Sequence, residues 1–151
     1  MTDRHIIHVI AGPTASGKSA LALERANALN GVIINADSMQ VYNALPILTA
    51  QPSAQDLAQA PHKLYSVHEP NEGTSAGAWN EEARAVIADV IAESKTPIIV
   101  GGSGLYIKSL IEGFSPLPEV PVDVRARVVA LLEELGNPGL YEALKKIDPV
   151  M

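Results

Sequence analysis

Cysteine is absent from this sequence. Without thiols the chain can form neither a disulfide framework nor a thiolate metal cluster, and a cysteine nucleophile is excluded as well. The four histidines, at positions 5, 8, 62 and 68, show no pair at metal-ligand spacing on a predicted helix. We therefore expect stability to come from packing, and we do not expect a metal site built from protein ligands alone.

Basic charge and long apolar runs are also scarce. Lys and Arg total 11 against 17 for Asp and Glu, which gives a formal net charge of -6 at pH 7. That sign excludes a protein that coats nucleic acid through bulk electrostatics, so any nucleic-acid contact must be local. The N-terminus lacks the pattern of a secretory leader, and no apolar run approaches the about 18 residues that span a bilayer. We expect a cytoplasmic protein without a membrane contact.

Apolar residues make up 47% of the 151 residues and charged residues 19%, as in ordinary globular proteins. Short apolar runs predict strands at 6–11, 32–35 and 97–100, the first and third of them buried. Helical periodicity predicts helices at 18–29, 76–94 and 105–112. Residues 43–75 contain several prolines and are predicted to be mostly loop, with one strand at 64–67. This alternation predicts an α/β fold, with a parallel sheet and helices on both faces.

The sequence changes character at 115–121, where three prolines in seven residues predict a stiff linker or hinge. Beyond it only helices are predicted, at 122–135 and 140–147, joined by Gly136-Asn137-Pro138-Gly139. We therefore divide the chain into a core at 1–115, which is incomplete, and a linker with the start of a helical segment at 116–151. Because no closing element follows residue 147, we expect the front part of a longer protein.

An eight-residue motif marks the first predicted turn from strand to helix. It matches the pattern G-x-x-x-x-G-K-[ST] and consists of Gly12, Pro13, Thr14, Ala15, Ser16, Gly17, Lys18 and Ser19. In such a loop successive backbone N–H groups surround a phosphate and the helix dipole adds positive potential. Lys18 would neutralise phosphate charge, and Ser19 would ligate Mg²⁺. The alternative is a glycine-rich turn with a capping serine. The motif predicts a phosphate or diphosphate ligand without identifying the reaction.

Two further loops are expected at the same edge of the sheet, since the carboxyl ends of parallel strands share one crevice. One begins with Asp37, a candidate general base, although an Asp before a Ser is also a common turn residue. The other is Gly101-Gly102-Ser103-Gly104, whose glycines would let backbone N–H groups and Ser103 approach a ligand. A plain tight turn fits these glycines equally well. The third strand lacks the terminal acid of many nucleotide hydrolases, which argues against a motor or GTPase.

A few other side chains have a simple structural interpretation. Trp79 is expected to anchor the core, and Arg84 and Lys108 to be solvated. Arg125 and Arg127 lie on a predicted helix after the linker. They form either an exposed helix face or a polynucleotide contact.

Taken in order, the loops GPTASGKS, DSMQVY and GGSGLY closely resemble those of the tRNA dimethylallyltransferase family, also called tRNA isopentenyltransferases. The segments PHKLYSVHEP at 61–70, TSAGAW at 74–79 and GFSPLPEVPVDVRARV at 113–128 are similar to the family's connecting segments. The resemblance covers essentially the whole chain. Because family members are longer, it implies the N-terminal half: a P-loop, nucleotide-kinase-like core and the start of a helical insertion that grips tRNA.

The resemblance implies transfer of a dimethylallyl group from dimethylallyl diphosphate to N6 of the adenine next to the anticodon in certain tRNAs. The P-loop would hold the diphosphate leaving group rather than ATP, with Mg²⁺ on Ser19. Asp37 would accept the proton of the adenine amine, while Ser103 would orient that amine or a diphosphate oxygen. The implied catalytic residues are thus Asp37 and Ser103, and the implied tRNA-contacting residues are Asp37, Ser38, Met39, Gln40, Ser103 and Arg125.

The implied partner is the anticodon stem-loop of tRNA, from whose stack the adenine must be extruded. The charge is unfavourable, since residues 61–151 hold 8 of the 11 basic side chains but also 13 of the 17 acids. Recognition by shape must then carry the affinity. We expect the full-length protein to be a monomer.

The chain departs from the family pattern at 45–52, where it reads LPILTAQP in place of a run similar to MDIGTAKP, and at His62-Lys63, where a histidine pair is usual. Two other functions also fit the motifs. One is a small-metabolite kinase of the shikimate or gluconate kinase kind, which shares the P-loop, an Asp after the second strand and glycines after the third. The other is an inactive fragment that binds phosphate without turnover.

Overall fold

A computed structural model describes residues 5–113 and 120–150 of the chain. Its elements in chain order are β1 (His8–Ala11), α1 (Lys18–Leu29), β2 (Gly31–Asn35), α2 (Ala54–Gln59), β3 (His62–Lys63), α3 (Ala76–Ala92), β4 (Thr96–Gly101), α4 (Gly104–Glu112) and α5 (Val122–Ile147).

The strands form one parallel sheet in the order β1-β4-β2-β3. The central strands β2 and β4 pair from Gly31 with Thr96 to Asn35 with Val100. Every residue of β2 is buried. Because the strands are parallel, β1, β2 and β4 end at the same edge of the sheet, where the three predicted loops begin.

Helices cover both faces of this sheet. One buried cluster joins β2 and β4 to α3 and α4 and includes Ile34, Ile99 and Trp79. A second cluster joins the opposite face of the same strands to α1 and includes Ile33 and Ile98. Successive strand residues thus alternate between two cores, as the pleat of a buried strand requires. The predicted α/β fold is confirmed.

Helix ends follow the local capping signals. Asn30 ends α1 with φ 51°, a left-handed conformation, and its N–H donates to the carbonyl oxygen of Ala26. The Ser75 hydroxyl starts α3 by accepting a hydrogen bond from the Ala78 N–H. The predicted helices α1, α3 and α4 and the strands β2 and β4 are confirmed to within a few residues.

The prediction that the first strand is buried is wrong. The strand is His8–Ala11 rather than 6–11, and the exposed fractions are 72% for Ile6 and 41% for Val9. Within the described residues β1 has one sheet neighbour, β4, so it is an edge strand. A β-branched run is favoured in both central and edge strands, and its sequence alone does not distinguish them.

The prediction that residues 43–75 are mostly loop is confirmed, but two details differ from it. A helix, α2, begins after Ser53, whose hydroxyl accepts from the Asp56 N–H while the Asp56 carboxylate accepts from the Ser53 N–H. The strand lies at His62–Lys63 rather than at 64–67. Positive φ angles of 61° at Leu64 and 53° at Ser66 end the extended conformation there.

The packing of α3 against α4 determines the surroundings of two side chains, Trp79 and Arg84, for which the sequence predicted a purely structural role. Trp79 is a core residue, as predicted, and its ring stacks on Tyr106 with centroids 4.6 Å apart. Arg84 is exposed but not merely solvated, because its Nε donates to Asn80 Oδ1 at 2.8 Å. Its guanidinium also donates to the Leu110 carbonyl oxygen at 3.2 Å, which ties α3 to α4.

The chain divides into two compact units, Met1–Phe114 and Ser115–Met151. In the second unit the two predicted helices form α5, which breaks at Gly136 with φ 64° and ψ 179°. Most of the predicted linker at 115–121 lies outside the described residues. So does the predicted boundary between the core at 1–115 and the segment at 116–151. Within 5–113 and 120–150 no helix is long and apolar enough to cross a membrane.

Candidate active site

The loop from Gly12 to Ser19 joins the end of β1 to the start of α1. Gly17, just before the helix, has φ 84°, a conformation that favours glycine over any residue with a Cβ atom. The first helical hydrogen bond runs from the Leu21 N–H to the Gly17 carbonyl oxygen at 3.1 Å. The N–H groups that precede Leu21 therefore have no acceptor within α1, which is the arrangement that binds anions at a helix N-terminus.

Lys18 supplies the positive charge of this loop. Its Nζ donates to the Pro13 carbonyl oxygen at 2.6 Å, so the side chain folds back over the loop from which it comes. The ammonium group is thus held against the loop itself. We call residues 12–19, whose sequence pattern predicts phosphate binding, the cradle.

The second loop presents Asp37 at the same edge of the sheet. One carboxylate oxygen, Oδ1, accepts from the Met39 N–H at 2.9 Å. The other, Oδ2, lies 3.9 Å from where a Cβ on Gly102 would be, so it faces the third loop. Gln40, expected to contact tRNA, uses its side-chain NH₂ to bind the carbonyl oxygens of residues 49 and 50 at 2.8 and 3.0 Å. Gln40 therefore supports the wall formed by the 45–50 loop.

Ser103 links the second and third loops. Its Oγ accepts from the Ser38 N–H at 2.9 Å, and its own N–H donates to the Ala36 carbonyl oxygen at 3.1 Å. The hydroxyl keeps one hydrogen to donate. A Cβ on Gly101 would lie 2.0 Å from the Ala36 carbonyl oxygen, which leaves no room for any side chain. Gly101 is thus required by the close approach of two strand ends. It also lines the cavity described below, and its approach to a ligand stays a prediction.

The cradle and Asp37 line one cavity of about 380 Å³. Its other walls come from the loop after β2 and from the end of β4, and the lining residues are Thr14, Ala15, Lys18, Ser19, Asp37, Met39, Gln40, Leu45, Leu48, Thr49, Ala50, Tyr65, Val100 and Gly101. A cation, a carboxylate and several hydroxyl-bearing residues therefore share a space that also has an apolar part, formed by residues such as Leu45, Leu48 and Val100. Such a cavity suits a ligand with an anionic end and a small apolar end.

Tyr65 is a cavity residue that the sequence did not single out, because it lies in a segment predicted as a strand. Burial raises the pKa of its phenol well above the usual range, and the nearby Asp37 carboxylate raises it further. Tyr65 lines this cavity and a smaller one beside Ser19 and Gln40.

Asn35 was also missed, although a polar residue at the end of an apolar strand is a visible signal. It is completely buried, and its side-chain amide binds both backbone polar groups of Asp37. Arg125 belongs to the second unit, where it lies exposed on α5. Its tRNA contact stays a prediction.

The parallel sheet, with the cradle between its first strand and α1, defines an α/β protein with the P-loop kinase-like fold. The sequence profile of the IPP transferase family matches residues 40–151, which is most of the chain. The chain belongs to the IPP transferase family. It is 51% identical over 143 residues to a tRNA dimethylallyltransferase of Paramagnetospirillum magneticum and 52% identical over 141 residues to one of Rhodopseudomonas palustris.

Solved structures give the same result. A tRNA isopentenylpyrophosphate transferase of Bacillus halodurans superposes with a TM-score of 0.73 at 33% identity, covering 97% of this chain and 49% of that one. A eukaryotic dimethylallyltransferase, captured acting on tRNA, superposes with a TM-score of 0.81 at 30% identity, covering 97% and 36%. The alignment with the Paramagnetospirillum relative covers 95% of this chain and 45% of the relative. This chain therefore spans about half the length of such relatives.

Proposed function

We propose that this chain contributes the diphosphate site and the general base of an enzyme that transfers a dimethylallyl group from dimethylallyl diphosphate to N6 of an adenine in tRNA. The observation that carries the proposal is the shared cavity, which brings Lys18 and Ser19 of the cradle together with the Asp37 carboxylate. The names of the relatives support the transferred group and the tRNA acceptor. The family match favours this reaction over a small-metabolite kinase.

Cleavage of the bond between carbon and the diphosphate oxygen leaves negative charge on the diphosphate. The N–H groups at the start of α1 and the Lys18 ammonium are hydrogen-bond donors for that charge. Because they are fixed before the reaction, they stabilise the charge as it develops without reorganising. The adenine nitrogen attacks carbon rather than phosphorus, so the P-loop retains the leaving group.

Asp37 is the group that would take the proton of the attacking amine. Its Oδ1 is held by the Met39 N–H, which leaves Oδ2 for the acceptor. The apolar residues Leu45 and Leu48 line the same cavity and offer apolar contact to the dimethylallyl group. Ser103 is not among the residues that line the cavity. Because its Oγ holds the Ser38 N–H, we assign it to the shape of the Asp37 loop.

Magnesium fits the donor atoms on this wall. Hard divalent cations prefer oxygen ligands, and Mg²⁺ is often held by one or two protein oxygens plus substrate phosphates. Ser19 and Asp37 supply a hydroxyl and a carboxylate to the cavity. Ser19 would hold the ion, which when bound would offset the charge of the diphosphate oxygens.

The tRNA partner must present an adenine out of its stack to reach this cavity. Met39, with 58% of its surface exposed, lies at the mouth of the cavity beside Asp37 and offers an apolar surface for the extruded base. The chain's net charge of -6 argues against affinity from bulk electrostatics. Recognition of the anticodon stem-loop by shape remains the proposal.

The test compares ligands and then turnover. In calorimetry with Mg²⁺ we expect dimethylallyl diphosphate to bind the full chain and Mg-ATP to bind more weakly. With an unmodified tRNA as acceptor, mass spectrometry of the digested tRNA should detect the dimethylallyl group on adenosine. Tight Mg-ATP binding without a response to dimethylallyl diphosphate would favour the kinase alternative. Diphosphate binding without turnover would identify a phosphate-binding protein that lacks transferase activity.

A further inference from the structure

Asn35, the last residue of β2, joins the end of that strand to the Asp37 loop. Its side chain is completely buried, and its amide oxygen Oδ1 accepts from the Asp37 N–H at 2.9 Å. Its amide nitrogen Nδ2 donates to the carbonyl oxygens of Asp37 at 3.1 Å and Leu64 at 3.0 Å. One planar amide therefore holds both backbone polar groups of Asp37.

These contacts fix the orientation of the amide. A flipped amide would set NH₂ against the Asp37 N–H and its oxygen against two carbonyl oxygens, so only one orientation satisfies the network. Trp79 Nε1 also donates to the Asn35 backbone carbonyl oxygen at 2.9 Å, which anchors the same residue to the core. The buried amide of Asn35 uses its oxygen and both N–H groups in these hydrogen bonds. Loss of the side chain would therefore leave the Asp37 backbone groups and the Leu64 carbonyl without this partner.

The backbone of Asp37 in turn sets the direction of its carboxylate. The Oδ1 atom accepts from the Met39 N–H in a local turn, so a rotation of the Asp37 peptide groups moves the carboxylate with it. Asn35 does not line the cavity that contains Asp37 and the cradle. Its influence on a ligand must therefore pass through the segments that it holds, which are the Asp37 loop and, through the Leu64 carbonyl, the residue before Tyr65. Of these cavity residues, Asp37 is the one bound at both backbone polar groups.

We propose that Asn35 is a positioning residue, which holds the Asp37 backbone so that the carboxylate faces the acceptor amine; this inference rests on the proposed function of Asp37. Misplacement of a reacting group by about 1 Å can cost about 100-fold in rate. Diphosphate binding depends on the cradle, which Asn35 does not contact in the described residues. Loss of Asn35 should therefore lower kcat and leave the KM for dimethylallyl diphosphate unchanged.

The experiment compares three variants in the transfer assay, run with the full chain. For Asn35→Ala we expect kcat to fall about 100-fold, with the diphosphate KM within about threefold. Asn35→Ser retains a hydroxyl that can accept from one N–H and donate to one carbonyl, so it should recover about tenfold of that loss. The matched control is Asn80→Ala, which removes another buried amide, one bonded to Ser109 and Arg84 away from the cavity. Its kcat per folded molecule should equal that of the parent.

A second measurement does not depend on turnover. In hydrogen exchange followed by NMR, the Met39 amide should exchange faster in Asn35→Ala than in the parent and in Asn80→Ala. An unchanged kcat in folded Asn35→Ala, or equal losses of kcat and diphosphate affinity, would overturn the positioning role. If the parent protein transfers no dimethylallyl group, the proposed function fails. The positioning role of Asn35 is then judged by the exchange rate of the Met39 amide alone. An exchange rate that is unchanged in Asn35→Ala would overturn that role.

Discussion

At the scale of single residues, the site is organised by polar side chains that bind backbone groups. Ser103, expected to touch the substrate, binds the Ser38 N–H across 65 positions of sequence. Gln40, expected to touch tRNA, supports the 45–50 loop through two carbonyl oxygens. Lys18 and Asp37 are the charged residues of opposite sign that line the cavity. Substituting each of them in turn should separate binding of the diphosphate from transfer to the acceptor.

Lys18→Ala should weaken dimethylallyl diphosphate binding at least about tenfold, because a charge-assisted hydrogen bond is lost. Asp37→Ala should leave that affinity within about threefold and lower transfer by about 10² or more, since a general base acts on the acceptor. Calorimetry measures the first effect and turnover the second. Equal losses of diphosphate affinity in both variants would contradict the assigned roles.

Gly101→Ala should destabilise the chain by about 3 kcal/mol or more, because the new Cβ would lie 2.0 Å from the Ala36 carbonyl oxygen and the strands must separate. Gly104→Ala is the matched control, since a Cβ at that position meets no heavy atom within 4 Å in the described residues. Because Gly104 is the first residue of α4, this substitution should leave the free energy of unfolding unchanged or raise it slightly. Urea denaturation measures both, and similar midpoints for the two variants would refute the steric explanation.

At the scale of elements, α2 shows how a short helix forms within a segment rich in proline. Ser53 and Asp56 bond reciprocally in a capping box. The Ser53 hydroxyl and N–H hold the pKa of the Asp56 carboxyl below its ordinary value of 3.8. Because the ionised form is the one held in the folded state, its stabilising effect is present above the ordinary pKa and is lost as the pH falls through the lowered one.

Asp56→Asn should therefore lower the free energy of unfolding at pH 7, and the difference from the parent should shrink as the pH falls below about 4. Asp89→Asn, which makes the same charge change on an exposed position of α3, is the control and should show a smaller difference at pH 7. Thermal unfolding at a series of pH values measures this. A difference that stays constant down to pH 2 would exclude the carboxylate as its source.

At the scale of the whole molecule, the two compact units differ in how much they bury. The first contains both hydrophobic clusters of the sheet. In the second, α5 has no buried residue among those described, and Val122 and Ile147 are 86% and 84% exposed. Local unfolding costs least where few apolar contacts are buried.

Amide hydrogens of α5 should consequently exchange much faster than those of β2 and β4, the central strands. Hydrogen exchange with mass spectrometry on the isolated chain compares the segments within one sample, so conditions are matched internally. Peptides from α1 provide an intermediate reference, since that helix packs on the sheet. Protection of α5 equal to that of β4 would show that it is as stable as the core.

The sequence by itself determined the elements that depend on local signals. The phosphate motif, the cap at Ser75 and the apolar runs of β2 and β4 act through neighbouring residues, so the α/β fold and the cradle could be predicted. The tertiary structure decided what depends on distant partners. The edge position of β1, the space lost at Gly101, the contact of Asn35 with Leu64 and that of Ser103 with Ser38 arise from strand order and loop packing, which no local pattern contains.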